Sequence, residues 1–212
     1  MALEQRYMPC EVRATSTDAG SLITGRPIVY NSRTDLGYFD EIIEQGALNE
    51  ADLKDVRFLV NHDTNMIPLA RSRRNNGNST MLLSIDTEGL NMQATIDTEN
   101  NATARELKSA IDRGDISGMS FLFSIDDEEW ENLETEHPTR HIRKIGTVVE
   151  VSAVTFPAYE ATSIYARSKE ALENARSVVE TVRQLEAKSV DTDSNNTLEL
   201  EKAKTIILTG GF

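Results

Sequence analysis

Alternation of apolar and polar positions is the clearest pattern in the chain, and it predicts strands. Between residues 90 and 96 the apolar side chains Leu90, Met92, Ala94 and Ile96 alternate with polar neighbours, as expected for a half-buried strand. A second apolar run at residues 81–85 precedes it, so the two runs predict a hairpin. Further runs rich in β-branched and aromatic residues predict strands at residues 21–30, 56–60, 116–125 and 148–156.

Helical periodicity appears in three places. Residues 102–113 repeat apolar side chains on one face, with Asn101 placed to cap the helix and Gly114 placed to end it. Residues 168–188 carry apolar side chains at a three-four spacing, which predicts a long amphipathic helix that needs a partner. A last short helix is predicted at residues 198–208.

Two segments predict connections rather than core elements. Residues 31–49 contain turn residues around a short apolar patch at residues 39–43, which favours a loop and a short helix. Residues 126–136 are strongly acidic around Trp130, which is typical of a solvated connection. The pattern as a whole predicts an α+β domain or a small barrel at residues 1–167. Residues 168–212 would form a helical tail that needs a partner.

Composition narrows the range of partners. The chain has 212 residues and a net charge of −13, from 22 basic and 35 acidic side chains. This excess of acid argues against nucleic acid or an anionic membrane as the main partner. No run of about 18 apolar residues exists to span a membrane, and the N-terminus lacks the apolar core of a signal peptide. Cys10 is the single cysteine, so neither an internal disulfide nor a thiolate metal site is expected.

Histidine chemistry has three candidates: His62, His137 and His141. His62 directly follows the predicted strand 56–60, where a side chain is held rigidly yet stays accessible, as a general base requires. His137 and His141 have the spacing of two ligands on a helix, but Pro138 separates them and the glutamate of a zinc hydrolase is missing. We therefore expect no metal there, only polar residues at the rim of a hairpin.

Two further side chains in predicted strands carry possible chemistry. Ser120 lies on the face opposite Met119 and Phe121, and Leu122 replaces the second glycine of an α/β-hydrolase elbow. Glu150 lies in an apolar strand, so it is either on the exposed face or buried with a partner such as a histidine. By composition alone, both residues could be purely structural.

Three segments in order change this interpretation. They are residues 61–63 (Asn-His-Asp), 114–121 (Gly-Asp-Ile-Ser-Gly-Met-Ser-Phe) and 150–159 (Glu-Val-Ser-Ala-Val-Thr-Phe-Pro-Ala-Tyr). Together they closely resemble the HK97-type prohead protease family of tailed phages, which is related to the herpesvirus assemblins. The resemblance runs from residue 25 to residue 165.

The resemblance implies an assemblin-like β-barrel surrounded by helices, in which a strand serine meets a strand-end histidine. It implies Ser120 as nucleophile, His62 as general base and Glu150 as the third member, with Asp63 as the alternative orienting acid. The strands bearing Ser120 and His62 would then lie side by side, under the helix at residues 102–113.

Assemblins use a histidine where this chain has Glu150. They also have an arginine pair that is not matched here, since the nearest downstream arginine is Arg167. Backbone amides near Ser120 or a bound water are the expected oxyanion donors.

The implied function is a serine endopeptidase without cofactor that cleaves the scaffolding segment of the major capsid protein, and itself, during procapsid maturation. It would act inside the procapsid, in the cytoplasm of a bacterial host or from a prophage, and it could require a homodimer. Residues 168–212 would then be a helical tail for scaffold docking or self-association. The alternative is a non-enzymatic capsid assembly or scaffolding factor of the same fold. A metal-dependent hydrolase that uses all three histidines is the third hypothesis.

Overall fold

The computed structural model describes residues 3–9, 12–18, 20–73, 76–155 and 161–189, with eleven strands and two helices in these ranges. The strands are β1 (Leu3–Pro9), β2 (Arg13–Thr17), β3 (Gly20–Val29), β4 (Arg33–Asp35), β5 (Asp40–Ile43), β6 (Arg57–Val60), β7 (Ala70–Arg71), β8 (Met81–Ile85), β9 (Gly89–Ile96), β10 (Gly118–Glu131) and β11 (Thr139–Val154). The helices are α1 (Ala102–Asp112) and α2 (Ala161–Ser189). In this part of the chain, neither helix is long and apolar enough to cross a membrane.

A long hairpin of β10 and β11 forms the centre of the larger, seven-stranded sheet. β1 pairs antiparallel with the outer edge of β10. On the other side, β11 pairs in parallel with two short strands, β5 near its start and β6 near its end. The strand β11 therefore brings together segments that are far apart in sequence.

The smaller sheet has the order β2-β3-β9-β8. The start of β9 beside β3 depends on Gly89, which has a φ of 143° and where a Cβ would lie 2.0 Å from the carbonyl oxygen of Ile28. The apolar faces of both sheets share one core, to which α1 adds Ala104, Leu107 and Ile111. Burial of these two faces is what holds the fold together.

The helices attach to the sheets in different ways. α1 is capped by the side chain of Asn101, which accepts a hydrogen bond from the backbone N–H of Ala104. In α2, Leu172 packs against Leu36 and Phe39 in a small separate apolar cluster. The guanidinium of Arg176 donates to the carbonyl oxygens of two residues in the β10–β11 turn, Leu133 at 3.1 Å and Thr135 at 2.6 Å.

Most of the predicted elements are confirmed, including α1, the β8–β9 hairpin, β3, β6 and the two strands of the central hairpin. Two predictions are wrong. Residues 40–43 form β5 rather than a helix, because alternate side chains are buried where this strand pairs with β11. Residues 126–131 continue β10 rather than forming a solvated connection, because they pair with the first half of β11. Trp130 there packs edge-on against Phe39, with ring centroids 4.7 Å apart.

The α+β class is confirmed, but the expected barrel is not found: the described strands form two separate sheets whose buried residues share one core. β1 and β4 stay at opposite ends of the larger sheet, so it does not close on itself. The division predicted at residues 167 and 168 falls within α2 and stays a prediction. The predicted helix at residues 198–208 lies outside the described residues.

Candidate active site

The candidate side chains come from three strands of the larger sheet. Ser152 on β11 is aligned with Ser120 on β10 and with Leu59 on β6. The strand β11 thus lies between the strands that lead to His62 and carry Ser120, and the prediction that these two strands are adjacent is wrong. Two strand spacings separate them by about 10 Å, so His62 must reach back across β11.

A turn of unusual backbone conformation returns His62 to the sheet. Asn61 and His62 both have left-handed φ angles, 50° and 56°, which non-glycine residues rarely adopt and asparagine tolerates best. The N–H of Asn61 donates to the carbonyl of Ala153 at 3.0 Å, and its Oδ1 accepts from the N–H of Thr155 at 3.0 Å. The backbone N–H of His62 then donates to Oγ of Ser152 at 3.2 Å. The turn therefore folds over the face of β11 that carries Ser152.

Glu150 is buried against this turn, with 2% of its surface exposed. Its Oε1 makes a short contact with Nδ1 of His62, and its Oε2 accepts a hydrogen bond from Oγ of Ser152 at 2.6 Å. The sequence left two environments open for Glu150, an exposed face of the strand or burial beside a partner such as a histidine. In the structure Glu150 is buried, and its partner is His62. A carboxylate at Nδ1 favours the imidazole tautomer whose Nε2 can accept a proton.

Asp63 makes a hydrogen bond within the turn that contains it. Its Oδ1 accepts a hydrogen bond from the backbone N–H of Asn65 at 3.0 Å, and the residue is exposed. The acid in contact with Nδ1 of His62 is therefore Glu150.

Ser120 is fully buried, and its hydroxyl donates to the carbonyl oxygen of Arg6 on β1 at 2.7 Å. Since a hydroxyl has one proton, the Ser120 proton is directed at β1 in this conformation. It is aligned with Tyr7 on one side and Ser152 on the other, so these three side chains share a face of the sheet. The Ser120 hydroxyl would have to turn away from this carbonyl to direct its proton towards an imidazole.

Gly118 explains how β1 can lie so close to Ser120. A Cβ at position 118 would lie 2.4 Å from Cε2 and from the phenol oxygen of Tyr7. The aromatic ring of Tyr7 thus occupies the space that the glycine leaves, two residues before the serine. In the sequence, the glycine of the Gly-Met-Ser segment gave no sign of this role.

On the other side of β1, a cluster of buried charges ties this strand to the sheet. Arg6 binds Glu41 through two hydrogen bonds of 2.5 and 2.6 Å and also contacts Glu4. Arg140 binds Glu4 at 2.9 Å and Glu128 through two nitrogens. Both guanidinium groups are thereby committed to carboxylates.

The charges in this cluster shift one another's pKa. Burial alone would raise the pKa of Glu4, but the charges and hydrogen bonds of Arg6 and Arg140 outweigh it and lower the pKa from 4.5 to about 2. Burial likewise acts to lower the pKa of Arg6, but Glu41 and Glu4 raise it above its ordinary value. Glu4, Arg6 and Arg140 therefore stay ionised at neutral pH.

The other two histidines lie near the far end of the central hairpin. His141 is aligned with Glu129 on β10. His141 lies nine positions before Glu150 on β11, a distance of roughly 25–30 Å along a strand. The three histidines therefore cannot share an ion. Among the described residues, the group able to hold a metal is Asp35, Asp40 and His137, but Asp40 also accepts from Arg33 at 2.7 Å.

An imidazole held by a buried carboxylate beside a strand serine is an arrangement that serine hydrolases use. A family profile described as caudovirus prohead serine protease matches residues 8–177. The chain is thus a protease, and it belongs to the caudovirus prohead serine protease family.

The chain is also similar to individual proteins. The chain is 27% identical over 172 residues to the prohead protease of Enterobacteria phage HK97, a match that covers 79% of this chain and 70% of that protein. Among solved structures it is similar to the bacteriophage T4 capsid assembly protease, at 16% identity and a TM-score of 0.40. That match covers 74% of this chain and 97% of the T4 protein.

Two features of the site were missed from the sequence. Ser152 is two positions after Glu150, and the period of two along a strand would place both on one face. The carbonyl of Arg6 could not be found in this way, because its approach to Ser120 depends on pairing between segments 114 residues apart.

Proposed function

We propose that this protease is a serine endopeptidase that cleaves the scaffolding segment of a major capsid protein, and itself, during procapsid maturation. The observation that carries the proposal is the contact between His62 and the buried Glu150, on the face of the sheet where Ser120 lies. Membership of the prohead protease family supports the same reaction.

In the proposed mechanism, Glu150 accepts the Nδ1 proton of His62 in a hydrogen bond, so that Nε2 serves as the base. Ser120 rotates away from the carbonyl of Arg6, gives its proton to Nε2 and attacks the peptide carbonyl carbon. The resulting imidazolium, stabilised by Glu150, returns the proton to the leaving amine. Water then hydrolyses the acyl-enzyme with the same base.

Donors to the oxyanion are proposed to be backbone N–H groups near Ser120 or a bound water. The guanidinium groups of Arg6 and Arg140 are both bound by carboxylates, so neither is available for this role. Preorganised backbone donors are effective in such a site because they need no reorganisation as charge develops.

The proposed partner is the capsid protein with its scaffolding segment, met inside the procapsid in a bacterial host. This follows the names of the relatives, a prohead protease and a capsid assembly protease. The net charge of −13 suits a protein partner better than nucleic acid or an anionic membrane. A homodimer remains part of the proposal.

One observation favours the alternative of a non-enzymatic assembly factor. The Ser120 hydroxyl donates to the carbonyl of Arg6, so the serine is engaged by the protein's own backbone. In that alternative the serine stays in this conformation, and the protein acts only by binding other proteins through its surface.

The deciding experiment is intact-mass analysis over a day, with the cognate capsid protein present. It compares the wild type with Ser120→Ala and His62→Ala. A matched control is Ser124→Ala, which removes another buried serine hydroxyl of β10, one that accepts from the N–H of Thr147 at 3.1 Å. We expect cleavage by the wild type and Ser124→Ala and none by the other two. Absence of cleavage by all four proteins would favour the assembly factor.

A further inference from the structure

Ser152 joins the two halves of the candidate site. Its hydroxyl donates to Oε2 of Glu150 at 2.6 Å and accepts from the backbone N–H of His62 at 3.2 Å. The side chain is fully buried, and it is aligned with Ser120 across the β10–β11 hairpin. One hydroxyl therefore contacts the acid and the histidine residue while lying beside the nucleophile.

The two oxygens of Glu150 have different partners, and this division fixes the carboxylate. Oε1 faces Nδ1 of His62, while Oε2 is held by Ser152. Without the hydroxyl, a buried carboxylate oxygen would lose a charge-assisted hydrogen bond, which is stronger than one between neutral groups. The carboxylate could then rotate and meet the imidazole in a poorer geometry.

The same hydroxyl also holds the backbone on which the imidazole is mounted. His62 has a left-handed φ of 56°, a conformation that persists only where the surroundings hold it. The hydrogen bond from its N–H to Ser152 ties this strained turn to β11. Both the position of the imidazole and the orientation of its acid thus depend on one side chain.

We infer that Ser152 is a positioning residue of the protease, which aligns the carboxylate of Glu150 and the turn at His62 for proton transfer from Ser120. Serine suits the position because it is small enough to lie between Ser120 and the histidine turn while offering both a donor and an acceptor. The inference rests on the proposed function, and it adds a fourth residue that touches neither the substrate nor the transferred proton.

The test measures kcat and KM for cleavage of the capsid protein by Ser152→Ala, Ser152→Thr and Ser124→Ala. We expect Ser152→Ala to lower kcat about 10- to 100-fold, the range for a lost hydrogen bond to a charged group, with KM nearly unchanged. Ser152→Thr keeps the hydroxyl and should retain most of the kcat. Ser124→Ala, a buried hydroxyl lost elsewhere on the hairpin, should match the wild type.

A spectroscopic measurement separates positioning from general destabilisation. In proton NMR, the Nδ1 proton of a histidine bound to a carboxylate resonates far downfield. We expect this signal in the wild type and in Ser124→Ala, and its broadening or loss in Ser152→Ala. If Ser152→Ala does not fold, Ser152→Cys replaces it, because its thiol is of similar size but a weak donor.

The outcomes distinguish this inference from the proposed function. Wild-type kcat in Ser152→Ala, with Ser120→Ala and His62→Ala inactive, would overturn the positioning role and leave the protease mechanism standing. Activity that persists in Ser120→Ala would overturn the mechanism itself. A rise in KM alone for Ser152→Ala would also contradict the inference, since it would indicate lost binding.

Discussion

At the scale of single residues, the contact between His62 and Glu150 determines which imidazole nitrogen carries the proton. Glu150→Gln keeps the shape of the acid but removes its charge and offers an amide to Nδ1. By analogy with serine proteases, we expect kcat to fall roughly 10³- to 10⁴-fold. The measurement is the single-turnover rate of capsid protein cleavage.

Asp63→Asn is the matched control, because Asp63 adjoins His62 yet its carboxylate accepts from the N–H of Asn65. Asparagine can accept the same hydrogen bond, so the rate should stay within about twofold of the wild type. A larger loss in Asp63→Asn than in Glu150→Gln would contradict the assignment of the acid.

The candidate residues of the site could be identified from the sequence, but the residues and strands around them could not. His62 was found because a strand ends directly before it, and Ser120 and Glu150 because their segments resemble a protease family. Their mutual geometry could not be predicted, since it depends on which strands pair. Ser152 was overlooked because a small polar residue in an apolar strand looks structural until its two partners are seen.

At the scale of elements, the first strand depends on buried charge. β1 is joined to β5 and β11 by Arg6 and Arg140 with their carboxylates. Removing one partner of a buried ion pair destabilises a protein by about 3–5 kcal/mol. This cluster therefore stabilises the position of β1 beside β10. The position of the Arg6 carbonyl over Ser120 is secured in the same way.

The pKa of Glu4 predicts how this anchoring responds to acid. A pKa lowered from 4.5 to about 2 means that the folded state binds its proton less readily than the unfolded state. The resulting stabilisation, about 3 kcal/mol, is complete above pH 4.5 and is lost as the pH falls towards 2. We expect more than half of it to be gone by pH 3.

Urea unfolding at pH 6 and pH 3 checks this expectation. Glu4→Gln should unfold more easily than the wild type at pH 6 and should show a smaller loss between the two pH values. Glu106→Gln changes an exposed carboxylate of α1 and should follow the wild type at both. The same loss in all three proteins would show that Glu4 is not the group responsible.

Elements were predictable where the pattern along the chain is local. α1 has its cap and its apolar face within a dozen residues, and the β8–β9 hairpin has its turn between two alternating runs. β5 and the second half of β10 were misjudged because their stability comes from β11, which lies far away in sequence. An acidic segment such as residues 126–131 forms a strand when a long partner lies beside it.

At the scale of the whole molecule, α2 is joined to the sheets by a small contact. Leu172 is 4% exposed and packs on Leu36 and Phe39, apart from the main core. Leu172→Ala should lower the free energy of unfolding by about 2–4 kcal/mol, the usual loss for a buried leucine. Leu82→Ala removes a leucine that is 43% exposed and should have a much smaller effect.

Thermal unfolding followed by circular dichroism distinguishes the two variants. A lower midpoint for Leu172→Ala alone would show that the start of α2 is part of the folded body. Equal midpoints would mean that the helix packs too weakly there to contribute to stability.

The pairing of β1 with β10 has a consequence for the newly made chain. β1 is synthesised well before β10, because Ser120 follows Arg6 by 114 residues, and Glu150 follows later still. Contacts so distant in sequence form slowly during folding. The site geometry therefore arises only after almost the whole of the larger sheet has left the ribosome, so a chain released earlier would lack the acid that holds His62.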